Sequence, residues 1–240
     1  MTKKKKVLSV ALAAVIAAVG IAGGSLAYFT DTDKATNTFT TGNVKIDLVE
    51  KNGDGTAFTQ DQVLLPGEEN AIVKDVTVKN VGTNDAYMWI EMWIPSALDN
   101  TSAANNSLHF NPFDTYKLPD GDTKPMRGSI AKAAGGVIVA ETNCVNIGTK
   151  TIGEGEKAQM YTGYRINIVG DTAKKTNEST ASLLYRVFMD QRVAQGTNGY
   201  ILTDGTTDYT GSWEIIVDAY GIQADGFDSI EKAMEAYYNA

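Results

Sequence analysis

Cysteine occurs once in these 240 residues, at Cys144, and histidine once, at His109. One thiol excludes an internal disulfide, so an exported form of the chain would have to be held by its core alone. One histidine excludes a zinc protease of the H-E-x-x-H type, which needs two on one helical face. A Ser-His-Asp or Cys-His centre would have to use His109, and its neighbours Leu108, Phe110, Asn111 and Pro112 carry no such signature. A loop or core histidine is the plainer reading, as a small buried hydrophobe is for Cys144. A phosphate-cradling loop is missing too, since Gly135-Gly136 lacks the lysine and the spacing. Proline is scarce. Three of the five, Pro112, Pro119 and Pro125, interrupt the stretch 96–130, which reads as a long connection or insertion.

The N-terminus differs from the rest. Lys3 to Lys6 form a positive block, Val7 to Ile21 is almost wholly apolar, and Gly23-Gly24-Ser25-Leu26-Ala27 supplies small residues. That order predicts a signal peptide over 1–27, cut between Ala27 and Tyr28. The apolar run is shorter than the ~20 residues of a spanning helix; a retained membrane anchor is the alternative. Without that segment the remaining 213 residues hold 17 basic and 29 acidic side chains, a net charge of about −12. Such a balance speaks against nucleic acid as a partner and for solubility or cation binding.

The remainder alternates as strands do. Val44, Ile46 and Leu48 lie between Lys45 and Asp47, and Val76 and Val78 between Thr77 and Lys79. From Tyr87 to Ile94, Met88, Ile90, Met92 and Ile94 make one apolar face, while Tyr87, Trp89 and Trp93 make the other aromatic, broken by Glu91. Both faces want cover, which predicts a central strand ended by Pro95. Tyr164-Ile166-Ile168, Leu183-Tyr185-Val187-Met189 and Trp213-Ile215-Val217-Ala219 repeat the rhythm. Ile130–Ala134 has the spacing of a helical turn, and Ile230, Ala233, Met234 and Tyr237 form a stripe capped by Asp228 or Ser229. The expected fold is all-β: a jelly-roll-like antiparallel sandwich with short helices and a long irregular insertion around 96–157.

Candidate chemistry is thin. The pairs Asp31 and Asp33, Glu68 and Glu69, and Asp120 and Asp122 sit among turn or surface residues, where solvated charge is the plain reading rather than a glycosidase pair. No cofactor is expected. Calcium is the ion best matched, through Asp54 in Asn52-Gly53-Asp54-Gly55 and through Asp120 and Asp122, although neither loop completes a twelve-residue calcium motif and hairpin turns account for both.

Two stretches carry a family resemblance. Gly23 to Asp33, followed by Asn37-Thr38-Phe39-Thr40-Thr41-Gly42-Asn43-Val44, and Leu65-Pro66-Gly67-Glu68 leading to Val76-Thr77-Val78-Lys79-Asn80-Val81-Gly82, resemble the TasA/camelysin family of Gram-positive bacteria. The resemblance is strong over residues 20–95. It implies processing by a signal peptidase of the SipW type and a secreted jelly-roll domain over 42–240. It further implies extracellular matrix or surface fibres, in which residues 28–41 of one subunit add a strand to the next, with an accessory matrix protein as a further partner. Tyr28, Phe29 and Phe39 would fill pockets, and Thr30 and Asp31 would lie in the extended donor backbone. An ordinary first strand within its own domain is the alternative. Camelysin relatives are classed as metallo-endopeptidases, but no catalytic metal pattern is present to receive that role. A third reading is a surface binding module using Trp89, Trp93 or the 96–130 stretch.

Overall fold

The computed structural model describes residues 30–33, 44–59, 62–99, 106–110, 115–117, 123–125, 131–132, 138–140, 142–196, 199–205, 208–209 and 214–239. Two antiparallel sheets form a sandwich. One has the order β1 (Thr30–Asp33), β16 (Ile216–Gln223), β4 (Ala86–Pro95), β11 (Gln159–Ile168), β10 (Thr142–Ile152). The other has the order β2 (Ile46–Lys51), β3 (Ile72–Asn80), β12 (Leu184–Met189), β5 (Leu108–Phe110). The chain crosses between sheets from β3 to β4, from β4 to β5, and from β11 to β12, wrapping as a jelly roll does.

Smaller ribbons decorate this frame. β6 (Thr115–Lys117) pairs with β7 (Thr123–Pro125), and β8 (Ala131–Lys132) with β9 (Ile138–Ala140). β13 (Ala194–Gln195), β14 (Tyr200–Ile201) and β15 (Asp208–Tyr209) make a third. Thus Ala131–Lys132, expected in a helical turn, is extended; five residues of apolar spacing do not separate a turn of helix from a hairpin strand. The sheets also take in both flanks of the 96–157 stretch, through β5 and β10.

β4 occupies the centre, as apolar character on both its faces predicts, and all ten of its residues are buried. Met88, Ile90, Met92 and Ile94 face the other sheet and meet Val76, Val78, Phe110 and Ile166 in the main core. Tyr87 and Trp89 face outward into a second cluster with Ile222, roofed by α1 (Ile230–Asn239) through Ile230 and Ala233. The expected stripe is thus the one that docks. Ser229 caps the helix, its Oγ accepting from the Lys232 amide at 3.4 Å. Among the described residues no helix is long and apolar enough to cross a membrane.

Candidate functional site: the edge of β16

A sandwich has four sheet edges, each a row of unpaired backbone groups that invites another strand. Three are blunted here. β10 carries a register shift at Asn146/Gly148, a glycine at φ 94° and Lys150. β2 is covered by the chain returning on itself, through the Lys51–Ala57 bridge and the Phe58 amide donating to the Glu50 carbonyl at 3.1 Å. β5 is only three residues long. The fourth edge is β1, and the strand it covers, β16, is different: its eight residues pair with β4 without a shift, from Ile216–Trp93 to Gln223–Ala86, and hold no lysine or proline.

This regular edge receives the N-terminal strand. β1 pairs antiparallel with it in the register Thr30–Ile222, Asp31–Gly221, Thr32–Tyr220 and Asp33–Ala219. Thr30 and Asp31, two of the residues expected to donate a strand, therefore lie beside β16 of their own chain. Ala27, Tyr28, Phe29 and Phe39 lie outside the described residues, as do Trp213, Asp120 and Asp122.

The inner face of the slot is closed by the start of β2. A Cβ placed on Gly221 would stand 2.8 Å from Ile46 Cγ2 and 3.6 Å from Val44 Cγ1, so the close crossing requires glycine. Gly221→Ala is expected to cost about 1–3 kcal/mol by overpacking and to raise amide exchange in β1; chemical denaturation with hydrogen exchange would measure both.

The outer face carries a network that the sequence hinted at only through Glu91 interrupting an aromatic face. Arg165 of β11, Tyr220 of β16 and Tyr238 of α1 all donate to the buried Glu91 carboxylate, at 3.0, 3.2 and 2.8 Å. Trp89 Nε1 donates to the Tyr238 hydroxyl at 2.8 Å, and the Arg165 guanidinium lies 3.1 Å over the Tyr238 ring centroid. Burial, reinforced by the Glu91 charge, pushes the Tyr220 phenol far above its ordinary value. Burial and Glu91 likewise outweigh the Trp89 hydrogen bond and Arg165 at Tyr238. Both phenols therefore remain protonated and able to donate. Three strands and the helix converge on one carboxylate, which anchors β16 from behind.

Neither expected tryptophan is open to a glycan. Trp89 lies under α1, and Trp93 lies across Gly163, where a Cβ would meet its ring at 2.5 Å, with the Lys150 ammonium 3.5 Å from its centroid.

Among the described residues the lone histidine is already engaged. His109 is fully buried, with Nε2 2.9 Å from Asp190 Oδ2, and Arg192 Nε and Nη2 donate to both Asp190 oxygens at 2.8 and 2.9 Å. A divalent cation there would compete with a guanidinium for the same carboxylate. Among the described residues no three His, Cys, Asp or Glu converge as a metal site. Asp54 is exposed, and its Oδ1 accepts from the Thr56 hydroxyl at 2.6 Å and amide at 2.9 Å, which hold the carboxyl below its ordinary range. Asn52 staples the same turn through Thr56 and Ala57. Hydrogen bonds to Asp54 Oδ1 and from Asn52 Nδ2 close this turn. Glu68, of another acidic pair, meets Arg186 at 2.6 Å.

Residues 2–107 match a family model described as camelysin metallo-endopeptidase. The match takes in β1 to β4 and ends just before β5. Searches of curated proteins and of solved structures return no match.

Proposed function

We propose that this chain, whose residues 2–107 match the camelysin family model, is a TasA/camelysin-type protein that works outside the cell as a structural subunit of matrix or surface fibres. Cleavage between Ala27 and Tyr28 by a signal peptidase of the SipW type frees the segment Tyr28 to Thr41. That segment then leaves its own β16 and fills the same slot on a neighbouring copy. Self-association makes the fibre; an accessory matrix protein would cap or anchor it.

One observation carries this reading. Among the described residues, β16 offers a regular side with neither shift nor lysine, and what occupies that side is a strand of four residues, β1. Residues 34–43, which join this strand to the rest of the chain, lie outside the described residues. Ten residues can span at most about 33–36 Å, comparable with the ~30 Å breadth of a small domain. Pairing is chemically the same within and between chains, so exchange trades a tethered partner for a neighbouring one without losing ladder hydrogen bonds. Such exchange is favoured by concentration, as any swap between identical elements is.

Protein beginning at Tyr28 is expected to form regular filaments, seen by electron microscopy and light scattering. Deletion of Tyr28 to Thr41 is expected to leave monomers. Equal polymerisation by the deleted form would refute strand donation. The family description also names a metallo-endopeptidase. Chelator-sensitive cleavage of casein by clean protein would support that activity instead, although the described residues offer it no metal site.

A further inference from the structure

The strand that receives β1 is held on its outer side by the C-terminal helix. Four β16 residues lie beside β1, from Ala219 to Ile222. Ala219 belongs to the main core and a Cβ on Gly221 would meet Ile46, so these two face inward. Tyr220 and Ile222 alternate with them and lie in the outer cluster, against Ile230 and Ala233 of α1. The register therefore sets Thr30 and Thr32 beside the two residues that the helix covers.

Tyr220 is gripped most closely. It stacks on Trp89 with planes 8° apart and meets Tyr237 of the helix edge-on at 5.8 Å. Its hydroxyl donates to Glu91 Oε2, while that of Tyr238 donates to Oε1 of the same buried carboxylate. A movement of the helix end thus reaches the strand through two links, Tyr238 to Glu91 and Glu91 to Tyr220. The other end of the helix is tied as well. The Gly170 amide donates to Glu231 Oε1 at 3.2 Å, and the Ala224 amide, in the turn joining β16 to α1, donates to the Asp85 carbonyl at 2.8 Å.

The helix is ten residues long, below the ~12–15 at which an isolated helix holds in water. Leaving the sheet would unfold it, so docking and helix formation are one event.

We infer that α1 is the outer wall of the acceptor slot, and that Tyr238 is a positioning residue which, through Glu91 and Tyr220, holds β16 ready to take a strand. Its part in fibres rests on the proposed strand donation at β16, whereas its hold on β1 concerns a single chain. With the helix docked, a copy both gives and takes a strand. With the helix loosened, a copy still gives its own strand but takes one poorly. Helix docking then decides whether a subunit extends a fibre or ends it.

The test uses protein beginning at Tyr28 with Tyr238→Phe, which keeps the ring and removes the hydroxyl. Exchange of the β1 amides, residues 30–33, should rise about tenfold, the factor that 1.4 kcal/mol of lost hydrogen bonding gives. Mixed as a minor component with unaltered protein, the variant should shorten filaments in electron micrographs, because it joins an end and accepts poorly. Tyr220→Phe should act alike, and the two changes together no more than either alone, since both break one chain of contacts. Additive losses would assign the two hydroxyls separate structural parts and overturn the relay. Unchanged β1 exchange and full-length mixed filaments, with α1 amides less protected, would overturn the wall itself. Should Tyr238→Phe leave α1 fully protected, Ala233→Asp, which sets a charge in the buried seam, replaces it and is read by the same outcomes. If the unaltered protein makes no filaments, strand donation at β16 fails by itself. Faster β1 exchange in the variant monomer, ahead of global unfolding, would still support the wall, and unchanged exchange would sink it.

Discussion

Asp190→Ala is expected to lower stability by about 3–5 kcal/mol, the cost of removing one partner of a buried charged cluster. Asp190 and His109 have no solvent exposure, and Arg192 grips both carboxylate oxygens. Alanine would leave the fully buried imidazole beside a void where the carboxylate stood, while the Arg192 guanidinium, a third exposed, loses its double hydrogen bond. The pH dependence separates this cause from simple loss of packing. Burial alone would raise the Asp190 carboxyl, but hydrogen bonds from His109 and Arg192 outweigh it and hold the group well below its ordinary value. A depressed folded-state value means that the unfolded chain takes up the proton first. The stabilisation is therefore complete above the unfolded carboxylate value of about 3.9 and is lost as pH falls below it. Urea unfolding of the native and Asp190→Ala proteins should show the gap at pH 7 and a narrowing gap below about pH 4. A gap that stays constant down to pH 3 would assign the loss to packing instead.

Trp89→Ala should be comparably costly, about 3–5 kcal/mol. Its ring is fully buried between sheet and helix, stacked on Tyr220 at 5.9 Å with planes 8° apart and edge-on to Tyr237 at 5.3 Å. The change removes those contacts and the donor to Tyr238, which in turn holds Glu91. Because α1 touches the sheet through this cluster, the helix should loosen first. Amides of residues 230–239 should lose exchange protection ahead of global unfolding. Tyr238→Phe keeps the ring and removes only the hydroxyl, so its cost should be nearer 1–2 kcal/mol. Equal effects of the two changes would mean that the hydrogen-bond chain, not the ring packing, holds the helix.

Much of the fold was legible along the chain. Apolar residues on both faces of Tyr87 to Ile94 require cover on both sides, and β4 is the central strand. The Ile230, Ala233, Met234 and Tyr237 stripe could only be a helix lying on an apolar surface, and it does so. Where the pattern was short, as at Ile130–Ala134, the period could not choose between helix and strand. The candidate site was half legible. Threonine-rich residues after Ala27 read as an extended strand, and Thr30–Asp33 are one. That the strand would lie beside Ala219–Ile222, on a β16 paired without a shift to β4, no local signal announced.

By itself the sequence determined which segments are extended, which faces are apolar, and that one histidine and one cysteine leave little room for metal, nucleophilic or disulfide chemistry. The tertiary structure decided the neighbours: His109 with Asp190 across 81 residues, Glu91 with Tyr238 across 147, and the N-terminal strand with the edge of β16. The physical reason is that side-chain alternation records which way a residue faces, a property of its own backbone. Strand order and register are choices among distant segments, settled by which pairings bury the most surface and leave the fewest polar groups unpaired.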